Sequence, residues 1–138
     1  MSIEQVKLIE EIIYYGIEVT HDMKDWISQI EDNEEINKIR EYLKENHSRI
    51  TQRDLELCLI DKCADAEIKK RGLDLSRLEY EIVKLMIIAG VVPEAQERTL
   101  NYLKTETQQM KMIEYLKQNP TASSLDVAYK TIEIINGE

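Results

Sequence analysis

The chain has 138 residues, four Gly, two Pro, no Phe and a formal net charge of −9. Apolar residues at 43% and charged residues at 33% exclude a disordered chain, and the scarcity of Gly and Pro argues against a turn-rich β fold. The length suffices for one core without metal or disulfide staples.

Charge is uneven along the chain. Residues 1–60 carry 7 basic and 14 acidic side chains, residues 61–90 carry 6 and 6, and residues 91–138 carry 5 and 7. Such an acidic first half repels phosphate backbones and argues against nucleic acid as a partner. The most apolar run, Ile82 to Val92, is interrupted by Lys84 and is too short to span a bilayer. The N-terminus lacks the basic start and apolar stretch of a secretory signal. Cys58 and Cys63 would lie about 140° apart around one helix, so they cannot bridge there. Two unpaired thiols without a signal peptide point to the cytoplasm.

In chain order, Ser2 and Gln5 form a capping box, followed by Val6, Ile9, Ile13 and Ile17 at helical spacing. Gly16 reads as a close-packing point or a kink, since the pattern continues through Met23, Trp26, Ile27 and Ile30. Asp32 to Glu35 looks like a new helix start, with Ile36, Ile39 and Leu43 on the inner face. Thr51 opens the next helix. It carries Leu55, Leu57, Cys58, Leu59, Ile60, Cys63, Ala64 and Ala66 around most of its circumference, which marks a central helix.

Gly72 after Lys69-Lys70-Arg71 ends that helix, because glycine accepts the left-handed conformation and the cations suit the negative end of the dipole. The basic cluster with Arg77 reads as a solvated helix end rather than a phosphate patch. Ser76 and Glu79 form a second box, with Leu75 and Tyr80 placed as a hydrophobic staple. The helix they open carries Ile82, Val83, Leu85, Met86, Ile87 and Ile88, and Gly90 closes it. Leu59, Ile60, Ala64, Val83, Met86 and Ile87 are the expected core. Pro93 suits a first turn, Thr105 and Gln108 can cap another start, and residues 93–119 read as one helix or two. Asn119-Pro120 stops that segment, and Ser123 with Asp126 starts the last helix, which holds Val127, Ile132 and Ile135. The expectation is an all-α fold: a compact bundle of six to seven helices without β-sheet, with residues 1–138 as a single domain. Glu41-Tyr42-Leu43-Lys44-Glu45-Asn46 reappears as Glu114-Tyr115-Leu116-Lys117-Gln118-Asn119. Outside those six positions matching is poor, so the echo reads as two helix corners built with the same chemistry.

Candidate chemistry is sparse. Glu18 and His21 have the spacing of paired ligands on a helix, but a carboxylate di-iron bundle needs a second pair, and Lys44 stands where His47 would need its Glu. Zinc through His21, His47, Cys58 and Cys63 lacks any short nucleating pair. Asp61 and Asp65 share a face that suits magnesium, with Lys62 and Arg53 nearby for ordinary ion pairing. No Gly-rich phosphate loop or nucleophile elbow is present. No cofactor and no metal is therefore expected.

Two resemblances carry chemical implications. Arg40 and His47, separated by six residues, superficially resemble the Arg–His pair of HEPN ribonucleases. His21-Asp22-Met23-Lys24-Asp25-Trp26 resembles the phospho-accepting box of helical-hairpin histidine kinases and phosphotransferases, and Leu55 to Leu73 loosely resembles the segment after that hairpin. This likeness implies His21, oriented by Asp22, exposed on a long helix. Asp25 stands where such boxes usually have Asn, and nothing after Gly72 resembles an ATP-binding domain.

The sequence thus favours a small acidic, non-enzymatic protein that binds another macromolecule as regulator, assembly factor or inhibitor. Glu31, Asp32, Glu34 and Glu35 are the candidate contact for a protein partner with a basic surface; their bland reading is dipole stabilisation of a helix start and solubility. A homo-oligomer is compatible with the composition. The abundance of Ile, Lys, Glu, Asn and Tyr resembles products of AT-rich bacterial or phage genomes, and an anti-defence role fits the same profile. The alternative is histidine phosphotransfer through His21.

Overall fold

The computed structural model describes residues 1–137 and is all-α. Among those residues there are eight helices and no strand. The helices are α1 (Ile3–Tyr14), α2 (His21–Gln29), α3 (Asn33–Asn46), α4 (Gln52–Arg71), α5 (Arg77–Ala89), α6 (Pro93–Tyr102), α7 (Glu106–Gln118) and α8 (Ser124–Asn136). Eight replaces the expected six to seven, because two segments that carry continuous apolar periodicity are each broken in two. Residues 93–119 form α6 and α7, separated at Leu103-Lys104. The first thirty residues form α1 and α2, because Gly16 adopts a left-handed φ of +80° and stops α1 instead of kinking it.

Each helix start is set by local chemistry. Complete capping boxes stand at Ser2/Gln5, Ser76/Glu79, Thr105/Gln108 and Ser123/Asp126. Thr51 and Asp54 make the same reciprocal pair ahead of α4. Asp32 caps α3 through Glu34 N–H, and Pro93 occupies the first turn of α6.

The chain divides into two compact units, Met1–Lys70 and Arg71–Glu138. In the first, α1 packs on α3 and α2 packs on α1, around Leu8, Ile12, Met23, Ile27, Ile30, Ile36, Ile39, Leu43, Leu55 and Leu59. The second unit pairs α5 with α7, α6 with α8, α7 with α8 and α5 with α6. Ile82, Val83, Met86, Leu103, Met112, Leu116 and Val127 are buried there.

Four of the six expected core residues, Leu59, Ala64, Val83 and Met86, are buried; Ile60 and Ile87 are only half-buried. On α1 the buried stripe is Gln5, Leu8 and Ile12, whereas Val6 and Ile13 lie exposed. The α1 helix has two apolar stripes, and its neighbour decides which is covered. On α4, Leu57 remains 48% exposed, so the helix is not enclosed on all sides.

The two units follow one plan. Gly16 and Gly90, 74 residues apart, both end a helix in the left-handed region with the same bond pair. Gly16 N–H donates to Ile13 O and Ile17 N–H to Ile12 O; Gly90 N–H donates to Ile87 O and Val91 N–H to Met86 O. The buried triad of α3, Ile36, Ile39 and Leu43, recurs 73 residues later on α7 as Gln109, Met112 and Leu116. Asn46 and Asn119 each donate a side-chain amide to the carbonyl four residues back, Tyr42 O and Tyr115 O. The Thr51/Asp54 pair recurs 72 residues on as Ser123/Asp126. The hexapeptide echo is therefore one of several matches between the two units, in helix ends, helix starts and the buried face of one helix.

Candidate functional site

The acidic cluster sits where α3 begins. Glu31 and Asp32 precede the helix, and Glu34 and Glu35 occupy its first turn, where exposed amides and the dipole favour negative charge. Two of the four carboxylates are held by lysines from within the first unit. Asp32 accepts from Lys69 Nζ at 3.1 Å, and Glu35 meets Lys38 Nζ at 3.1 Å and Lys62 Nζ at 3.3 Å. The Lys69 hydrogen bond, together with the Glu34 amide, holds the Asp32 carboxyl below the usual carboxylate range. Lys38, then Lys62, does the same for Glu35. Glu31 and Glu34 stay exposed at the rim. The arrangement is a fixed acidic edge in which lysines of α3 and α4 neutralise the two inner carboxylates.

His21 is the first residue of α2, capped by Thr20, and its side chain is 89% exposed. Its carboxylate neighbour is Asp25, one turn on, with Nε2 to Oδ2 at 3.6 Å; Asp22 does not fill that role. The long hairpin helix implied by the phospho-accepting resemblance is not formed, since α2 has nine residues.

Arg40 and His47 have separate partners. Arg40 donates through Nε and Nη2 to Glu11 Oε1 at 2.9 and 2.6 Å and through Nη1 to Asn37, joining α3 to α1, and the Glu11 hydrogen bond raises its pKa further. The His47 ring stacks on Tyr15 at 4.1 Å, with 11° between the planes. Cys58 and Cys63 are half-buried, which pushes both thiols up, and Cys63 donates to Gln29 Oε1 at 3.1 Å. Lys62 and Arg53 pair with Glu35 and Glu56. Among the described residues no three His, Cys, Asp or Glu side chains converge into a metal-ligand group. No helix there is long and apolar enough to cross a membrane.

One feature has no forerunner in the sequence patterns. A groove of about 290 Å³ runs between α6 and α8, with Thr99, Tyr102, Thr131 and Ile132 in its walls. Periodicity misses it because threonine reads as neutral there. Comparison with protein families, with curated proteins and with solved structures finds no match for this chain.

Proposed function

We propose that this chain is a non-enzymatic interaction protein whose first unit engages a basic surface of another macromolecule, as regulator, assembly factor or inhibitor. The observation that carries the reading is the concentration of charge. Residues 1–70 hold 10 basic and 17 acidic side chains, against 8 and 10 in residues 71–138. At the start of α3 this surplus is arranged as an edge, with Asp32 and Glu35 fixed by lysines and Glu31 and Glu34 free to meet cations. Such a surface steers association through long-range attraction, and salt weakens it.

The test is capture from the native host with the wild-type chain and with a Glu31→Lys/Glu34→Lys double variant. The reading expects a basic protein that the wild type retains, that the variant loses, and that elutes as salt rises. Equal retention by both chains, or indifference to salt, rejects the acidic edge as the contact.

Phosphotransfer through His21 is the second reading, supported by its exposed imidazole and the nearby Asp25 carboxylate. Incubation with phosphoramidate, a donor to histidine, would then give acid-labile, base-stable phosphate on the wild type and none on His21→Ala. Unlabelled wild type rejects it.

A further inference from the structure

We draw no further inference here: the strongest candidate, the groove between α5 and α7 lined by Leu78, Met110 and Ile113 together with Arg77, Glu81 and Lys117, is an open face that carries both charges, and nothing in the structure shows what covers it.

Discussion

The carbonyl that ends the second helix of each unit, Ile30 O in one and Leu103 O in the other, is satisfied by a buried glutamine, but from a different helix each time. Gln5 reaches it from α1 and also bonds Ile27 O, with distances of 2.8 and 2.9 Å; Gln109 reaches Leu103 O from α7 at 3.0 Å. Buried carbonyls without donors are costly, so the side-chain amide matters here more than its own polarity. Replacing Gln5 by Leu strips two carbonyls and should cost about 2–3 kcal/mol, against about 1–2 kcal/mol for Gln109→Leu. Urea denaturation of the two variants gives the order; equal and negligible losses would mean that water replaces the amides at no cost. The sequence marks Gln5 only as the capping partner of Ser2 and Gln109 not at all, since the carbonyls they meet are backbone atoms that only folding brings near.

At the scale of helices, the starts were legible and the buried faces only in part: Ile36, Ile39 and Leu43 of α3 are buried as their spacing predicts, whereas α1 and α4 cover stripes that spacing alone does not choose. Ser76/Glu79, Ser123/Asp126 and Thr105/Gln108 are local devices, complete within four residues, and the structure forms each of them. Which stripe of α4 is covered depends on neighbours distant in sequence, and there Leu59 is enclosed while Leu57 is half in water. Leu59→Ala should therefore cost about 2–5 kcal/mol. Leu57→Ala should cost under about 0.5 kcal/mol, as surface changes do. Thermal unfolding separates the two.

The acidic edge shows the same division: its four carboxylates are visible in the sequence, but Lys62 and Lys69 lie 27 and 37 residues from their partners. For Asp32 and Glu35 the folded pKa lies below the unfolded one. Their contribution is thus complete above the unfolded value and lost as pH falls through the folded one. Stability should drop on acidification below about pH 4, and Glu35→Gln should flatten that part of the profile. An unchanged slope in Glu35→Gln would show that the lysines contribute nothing beyond geometry.

Across the whole chain, the two units match in their helix ends and differ in their interiors. Positions at equivalent places in the two units differ in chemistry. The Glu11–Arg40 ion pair that ties α1 to α3 stands where the second unit has Leu85 and Ile113, and a charged pair exchanged for an apolar one is often neutral in stability. The likeness was legible only at the hexapeptide because the Asn46 and Asn119 helix ends are the same local device, whereas buried positions differ in chemistry between the units, as Ile36 and Gln109 do.

Two units with separate internal cores should also respond separately to damage. Leu8 and Ile82 are equivalent, each wholly buried and each on the first helix of its unit. Each truncation to Ala should cost about 2–5 kcal/mol locally. Native-state amide exchange then reads where that cost falls. Leu8→Ala should speed exchange in α1 to α3 and leave the slow amides of α5 and α7 unchanged, and Ile82→Ala should do the reverse. If either variant accelerates both halves to the same degree, the chain opens as one cooperative block, and the division into two units governs its architecture but not its stability.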